Sequence, residues 1–169
     1  LGSPFIGFYT QGRYATALFA LEPLLSHLCL LRQWEATMNV GHILKAKGAD
    51  VFTLRPEVSL AEVVTVLAER RIGAIVLVDG AGHVAGIVSE RDVVRVLAKF
   101  GAGVLDKPIG EAMTVKVKTC SSETAIEEVL AIMTKGRFRH LPVIDGGRLS
   151  GIVSIGDVVK TKIEEAERE

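Results

Sequence analysis

The apolar positions between residues 51 and 159 follow two periodicities in turn, and they predict the same order of elements twice. A short apolar strand precedes an amphipathic helix, and two further strands and a second helix follow. The first helix of each unit has apolar residues at i, i+3, i+4 and i+7: Leu60, Val63, Val64 and Leu67, then Ile126, Val129, Leu130 and Met133. The pattern therefore predicts two β-α-β-β-α units.

The turn and capping residues set the limits of these elements. Asp79-Gly80-Ala81-Gly82 and Asp145-Gly146-Gly147 supply the positive-φ residues of a hairpin turn in each unit. Ser59 and Ser122 are the candidate N-caps of the first helices, and the second helices begin at Ser89 and Ser154. The predicted strands are 51–54, 74–78 and 84–88 in the first unit, and 117–120, 141–144 and 149–153 in the second.

The two units are an internal duplication. Residues 51–64 align with 117–130, and residues 86–94 align with 151–159 after one deletion, at a spacing of 65 to 66 residues. One unit of this size leaves a sheet face uncovered, so two units are expected to bury those faces against each other with pseudo-twofold symmetry. We therefore predict an α/β (α+β) fold with two equivalent clefts between the repeats, where ligands tend to bind.

The first 37 residues differ in composition from the rest. They hold three of the six Phe, the only Trp and both Tyr, but only four charged side chains. We interpret residues 1–37 as an apolar N-terminal extension of uncertain status, residues 38–103 as repeat 1, and residues 104–169 as repeat 2 with a charged C-terminal helix. A signal peptide fits poorly, because a basic start and a cleavage site are missing. A short apolar helix within residues 18–31 would cover an apolar patch or a partner.

Charge and cysteine content exclude several classes of function. Twenty Lys and Arg balance twenty Asp and Glu, so the chain has no net field for polyanions and nucleic-acid binding is not expected. No apolar run reaches 18 residues, so we expect no membrane span. Cys29 and Cys120 are far apart, which argues against a disulfide or a thiolate metal site and favours a reducing, cytoplasmic location. No metal ligands are expected.

From Met38 to about Lys162 the chain resembles a tandem pair of cystathionine-β-synthase-type domains, the CBS pair or Bateman module. The motif Gly-Ile-Val-Ser-x-x-Asp-Val-Val begins at Gly86 and again at Gly151. Residues 139–145, Arg-His-Leu-Pro-Val-Ile-Asp, and residues 109–114, Ile-Gly-Glu-Ala-Met-Thr, complete the resemblance. It extends to small stand-alone bacterial CBS-pair signalling proteins.

The resemblance implies that the clefts bind adenosine-containing ligands such as AMP, ADP, ATP, S-adenosylmethionine or NAD. Matching positions give Asp92 and Asp157 as ribose-binding residues, since one carboxylate can accept both hydrogen bonds of a cis-diol. They give Ser89, Ser154, Arg139 and His140 as phosphate-binding residues. The alternative is that each Ser only caps a helix and each Asp only complements the helix dipole.

The two clefts are expected to differ, because Gly73 and Ala74 stand where the second repeat has Arg139 and His140. Lys135 and Arg137 are interpreted as ordinary cations of a helix end. Family position indicates Val40 and Ile43 as adenine-lining residues of one cleft and Ile109 and Met113 of the other, with Ile87, Ile152 and Pro142 nearby. Each of these is individually a typical core residue.

The resulting hypothesis is a regulatory module that binds an adenine nucleotide between its repeats and responds through a conformational or dimer change. The alternative is a dimeric interaction scaffold with vestigial clefts. No acid and base are paired as catalysis requires, so we expect no enzyme activity, no catalytic residue and no catalytic cofactor. The resemblance implies a homodimer formed through helical faces, and an unidentified effector protein is a further expected partner.

Overall fold

The computed structural model describes residues 38–167, and the structural statements below refer to that part of the chain. The proposed extension, with the apolar helix expected in it, lies outside the described residues. The helices and strands of both predicted units are present in the predicted order, except for the strand predicted at 117–120, so the α+β fold class is confirmed.

The elements have the following bounds. The first half contains α1 (Val40–Lys47), β1 (Thr53–Leu54), α2 (Leu60–Arg70), β2 (Ala74–Val78), β3 (Val84–Ser89) and α3 (Glu90–Phe100). A linker with two short 3-10 turns, Ala102–Val104 and Ile109–Glu111, leads to the second half. That half contains α4 (Ile126–Gly136), β4 (His140–Asp145), β5 (Arg148–Ser154) and α5 (Ile155–Ala166).

The sheets are small and differ in one strand. In the first repeat β1 pairs parallel with β2, and β2 pairs antiparallel with β3. In the second repeat β4 and β5 form an antiparallel pair, and the strand predicted at 117–120 is reduced to one parallel bridge between Cys120 and Val143. Pro142 stands where the first repeat has Val76, and proline has no N–H to donate to a longer ladder.

The capping predictions are right for three serines and wrong for the fourth. Ser59, Ser89 and Ser154 each accept a hydrogen bond from a backbone N–H in the first turn of their helix. Ser122 is not a cap, because α4 begins only at Ile126, after Ala125. The amide and hydroxyl of Ser122 instead donate to Oδ1 of Asp145, at 2.9 and 3.1 Å.

Helix α1 belongs to the core of the second repeat, although it precedes the first repeat in the chain. Its apolar residues Val40, Ile43 and Leu44 are buried with those of α4, β4 and β5. The backbone N–H of Val40 donates to the carbonyl of Thr124 at 3.0 Å, and that of Gly41 donates to the carbonyl of Ser122 at 2.8 Å.

The linker makes the reciprocal contact with the first repeat. Ile109 is fully buried among the residues of α2, β2 and β3. Its N–H donates to the carbonyl of Val58 at 2.8 Å, and the N–H of Gly110 donates to the carbonyl of Pro56 at 2.9 Å. Each repeat is therefore completed by a segment that precedes the other, and the two repeats cannot be separated at residues 103/104 without opening both cores.

Glycines provide the space for the two exchanged segments, α1 and the linker, each of which packs into the core of the other repeat. A Cβ on Gly86 would stand 2.5 Å from Sδ of Met113, and a Cβ on Gly151 would stand 2.7 Å from Cδ2 of Leu44. The glycine that opens each Gly-Ile-Val-Ser motif therefore seats the side chain of the exchanged segment against the sheet.

Candidate ligand-binding site

A cleft of about 430 Å³ lies between the repeats, which is in the size range of small-molecule sites. The first repeat lines it with Gly73, Ile87 and six residues at the start of α3: Ser89, Glu90, Arg91, Asp92, Val94 and Arg95. The linker contributes Thr114, Lys116, Val117 and Lys118, and the second repeat contributes residues 136–140. Three separate parts of the chain therefore build one cleft.

Ser89 and Asp92 form a reciprocal capping box at the start of α3. The Ser89 hydroxyl and amide donate to Oδ2 of Asp92 at 2.6 and 3.0 Å, and the Asp92 amide donates to the hydroxyl at 3.4 Å. Ser89 therefore caps α3, and Asp92 completes the capping box. Because the Ser89 backbone amide and the Ser89 hydroxyl both donate to Oδ2, they fix the carboxylate in place and leave Oδ1 outside the capping box.

Oδ1 of Asp92 is contacted by a replaceable partner. Nη1 of Arg95 lies 3.1 Å from it, one turn further along α3, and the Arg95 side chain is 68% exposed. Exposed pairs of this kind stabilise a helix by only a few tenths of a kcal/mol. A ligand hydroxyl can therefore replace the guanidinium at Oδ1 at little cost.

Cations dominate the ionisable groups of this cleft. Six line it, namely Arg91, Arg95, Lys116, Lys118, Arg137 and Arg139, against the two carboxylates of Glu90 and Asp92. Nη1 of Arg91 also donates to the carbonyl of Arg137 at 2.8 Å, which joins the two repeats at the cleft wall. The site is therefore suited to a polyanionic group.

His140 lies where the two repeats approach each other. A Cβ on Gly73 would stand 2.9 Å from Cε1 of His140, so glycine at position 73 lets the imidazole come close to the first repeat. Burial lowers the pKa of His140 below its usual value, and nearby Lys47 and Arg139 act in the same direction, against Asp157 and Glu90. The ring is thus favoured in its neutral form, as a hydrogen-bonding group.

The carboxylate of Asp157, at the matching position of the second repeat, has a different environment. Ser154 donates to its Oδ2 from both the amide and the hydroxyl, at 2.8 Å each. The ammonium of Lys47, from the end of α1, lies 2.7 Å from the same oxygen. Burial raises the pKa of Asp157, but the hydrogen bonds from Lys47 and Ser154 outweigh it and hold the pKa below its usual value.

The structure thus brings together Asp92, Ser89, Ile87, Arg139 and His140, out of the residues that sequence reasoning placed in a ligand site. The other predicted residues do not line this cleft. Ser154 and Asp157 lie at the start of α5, and Met113 packs over Gly86. Val40, Ile43 and Ile109 are core residues, Pro142 is buried in β4, and Ile152 is half-buried in β5.

Sequence reasoning missed most of the basic residues of the cleft. Arg137 was interpreted as a helix-end cation, yet it has a left-handed φ of 55° and its side chain lines the cleft. Lys116 and Lys118 carried a usable signal, because they alternate with Val117 in an extended segment directly after a motif of the repeat. The position of Arg95 on α3 follows from helical spacing once Asp92 is assigned to the cleft, and Arg91 lies one turn before Arg95 on the same side of the helix.

Within the described residues 38–167, no group of three or more His, Cys, Asp or Glu residues is arranged to hold a metal ion. None of the helices in that range combines the length and apolarity needed to cross a bilayer.

Comparison with known proteins finds two copies of one domain. The family model for the CBS domain matches residues 40–99 and 109–164. The structure is similar to that of a CBS-domain-containing protein from Agrobacterium tumefaciens, with a TM-score of 0.73 and 44% sequence identity. The match covers 75% of this chain and 94% of that protein.

Two other similar structures contain adenosine compounds. A CBS domain protein from Pyrobaculum aerophilum, complexed with AMP, is 26% identical with a TM-score of 0.63, over 70% of this chain and 88% of that one. A CBS domain pair in complex with 5′-methylthioadenosine and S-adenosyl-L-methionine is 26% identical with a TM-score of 0.67, over 75% and 97% of the two chains.

The lowered pKa of His140 predicts a loss of stability in mild acid. The unfolded chain takes up a proton near the ordinary histidine pKa of about 6.5, whereas the native state resists it. The unfolded state then binds more protons, so the free energy of unfolding falls as the pH drops from about 7.5 to about 5.5, by at most about 1.4 kcal/mol per pH unit for this group.

Urea unfolding at several pH values measures this dependence. The H140Q variant should show a flatter profile in this window. The control is H83Q, which removes a histidine whose side chain is 66% exposed and should keep the wild-type slope. If the free energy of unfolding of H140Q depended on pH as steeply as that of the wild type, the lowered pKa of His140 would be contradicted.

Proposed function

This chain belongs to the CBS-domain family, and we propose that it is a regulatory module that senses an adenosine nucleotide in the cleft between Asp92 and Arg139. The observation that carries the proposal is the composition of that cleft. One fixed carboxylate lies among six cations, beside a set of apolar side chains. These are the groups needed to bind a ribose, phosphates and a base.

The carboxylate of Asp92 suits a ribose. Its side chain is only 17% exposed, and the capping box fixes its orientation before a ligand arrives. A cis-diol can donate to Oδ1 once Arg95 moves away. Because the Ser89 hydroxyl already donates to Asp92, we propose that Arg139 contributes more to phosphate binding than Ser89 does.

The basic wall suits phosphates. Arg137 and Arg139 flank Phe138 on the second repeat, and Lys116 and Lys118 face the cleft from the linker. Charge-assisted hydrogen bonds to phosphate are about twice as strong as neutral ones. The same charges repel a sulfonium cation, so we propose ADP or ATP as the preferred ligand over AMP, and S-adenosylmethionine as a poor one. The dinucleotide NAD, with two phosphates, is an intermediate candidate.

The base needs an apolar slot. Ile87, Val117 and Phe138 line the same cleft as the charged groups. Of the residues that sequence reasoning assigned to adenine, only Ile87 remains in this proposal. The binding of AMP, 5′-methylthioadenosine and S-adenosyl-L-methionine by similar CBS structures supports an adenosine-containing ligand here.

Such a ligand would act by holding the repeats together. It would touch α3 of the first repeat and residues 136–140 of the second, so its binding favours one relative arrangement of the repeats. A coupling of about 1 to 3 kcal/mol is typical of such devices and is enough to change the affinity for an effector protein. We propose no catalytic step, since the Ser154 hydroxyl donates to Asp157 and acts as a cap.

Titration calorimetry with ATP, ADP, AMP and S-adenosylmethionine tests the nucleotide proposal. We expect ATP and ADP to bind more tightly than AMP and to raise the melting temperature, whereas S-adenosylmethionine should bind least. R139Q should weaken ATP binding about 10- to 100-fold, because a charged hydrogen bond contributes about 1.5–3 kcal/mol. D92N should weaken the binding of all four of these ligands.

K135Q is the matched control, because Lys135 lies at the end of α4 outside the cleft. Its ATP affinity should stay within about twofold of the wild type. Failure of all the ligands to bind would contradict the sensor proposal and favour the alternative, a dimeric interaction scaffold with vestigial clefts.

We also propose a homodimer through α3 and α5. Both helices expose large apolar side chains, which include Val94 at 65% and Phe100 at 61% on α3, and Val159 at 47% and Ile163 at 54% on α5. Val94 and Val159 occupy matching positions of the two repeats, so the surface repeats itself about the pseudo-twofold axis. A second copy is the partner that such a self-complementary surface fits.

Light scattering on a sizing column tests the dimer. Wild-type protein should elute with twice the chain mass, and V159D/I163D should elute as a monomer with unchanged far-UV circular dichroism. V115D is the control, because Val115 is similarly exposed at 63% but belongs to the linker and to neither helix. A dimer that survives V159D/I163D would contradict this interface.

A further inference from the structure

We infer that the two clefts are not equivalent, and that Lys47 holds Asp157 in place of a ligand, so that each chain binds one nucleotide. The inference rests on the proposed nucleotide site at Asp92 and adds its stoichiometry. The sequence predicts two clefts that differ at Gly73 and Ala74, and the structure adds a second difference, the ion pair between Lys47 and Asp157.

Helix α1 and the linker occupy equivalent positions in the two halves of the molecule. Gly41 and Gly110 donate to the matching carbonyls of Ser122 and Pro56, at 2.8 and 2.9 Å. Leu44 and Met113 likewise cover the matching glycines of the two Gly-Ile-Val-Ser motifs. Counting on from these pairs without a gap brings Lys47 to the position of Lys116.

The two segments then follow different paths. The linker leaves its 3-10 turn after Glu111, and Thr114 pairs with Ile87 of β3 through hydrogen bonds of 3.0 and 2.9 Å. This extended path places Lys116 and Lys118 along the wall of the Asp92 cleft. Helix α1 instead continues through Lys47 and ends at Gly48, whose φ is 94°.

The continued helix brings Lys47 to Asp157. Its ammonium lies 2.7 Å from Oδ2, and the Lys47 and Asp157 side chains are 33% and 24% exposed. Among the described residues, the ion-pair partner of Asp92 is instead Arg95 of its own helix, with a side chain that is 68% exposed. Lys47 is anchored by the buried residues of α1, so it is a more permanent partner than Arg95.

The surroundings of Asp157 also lack half of the cations of the other cleft. Gly73 stands where the second repeat has Arg139, Phe52 stands for Lys118, and Gly156 stands for Arg91, whereas Arg71, Lys160 and Lys47 match Arg137, Arg95 and Lys116. A nucleotide at Asp157 would have to displace Lys47 and would then lack the counterparts of Arg139, Lys118 and Arg91 for its phosphates. Lys47 therefore decides which of the two Ser-x-x-Asp motifs is available for binding.

Equilibrium dialysis with saturating AMP tests this inference. AMP is the probe because its single phosphate depends least on the missing cations. The wild type should bind one AMP per chain, D92N should bind none, and D157N should keep its affinity within about twofold. K47Q should bind close to two, and K47Q/D157N should return to one. K45Q, an exposed lysine of the same helix, is the control and should bind one.

Two bound AMP molecules per wild-type chain, one of them lost in D157N, would overturn the inference. So would a ratio that stays at one in K47Q, or a single site that D157N abolishes and D92N does not. If the wild type bound no AMP but K47Q bound one, the nucleotide site at Asp92 would fail while the role of Lys47 would stand. No binding to either protein would overturn both.

Discussion

The exchange of two segments between the repeats is the constraint on which the rest of the structure depends. Val40 and Ile109 are each completely buried. Val40, directly before the first repeat, lies in the core of the second, and Ile109, in the linker before the second repeat, lies in the core of the first. A large apolar side chain in such a position stabilises the fold by about 2–5 kcal/mol relative to alanine. Neither core is complete without the other half of the chain, so the module folds as one unit of two repeats.

The same exchange places the chemistry. Because the linker is held against the first repeat, Lys116 and Lys118 reach the cleft at Asp92, where Arg137 and Arg139 of the second repeat meet them. Because α1 is held against the second repeat, Lys47 reaches Asp157. The aspartate of the duplicated Ser-x-x-Asp motif therefore has a different partner in each repeat. The difference arises because the backbone is extended in the linker but stays helical in α1 after the matching residues.

Much of the fold was predictable, because the apolar periodicity is repeated at a spacing of 65 to 66 residues and each copy supports the reading of the other. The errors have local causes. Ser122 was mistaken for a cap because the true cap position holds Ala125, which has no side-chain acceptor. The motif predicted Asp92, Ser89, Arg139 and His140 as ligand-site residues, and the structure places all four along one cleft. The exchange could not be predicted, since buried apolar residues carry no label for the core they join. The adenine contacts of Val40, Ile43 and Ile109, which are buried in those cores, stay a prediction. The ion pair of Lys47 with Asp157 spans 110 residues and has no signal in the sequence.

The central claim is that the exchanged segments make one cleft a nucleotide site and close the other. A crystal structure of the wild-type protein grown with saturating ATP tests it most directly. We expect one nucleotide per chain, with its ribose on Asp92, its phosphates among Arg137, Arg139 and Lys116, and the Lys47 ammonium still on Asp157. A nucleotide bound at Asp157 with Lys47 displaced would contradict it.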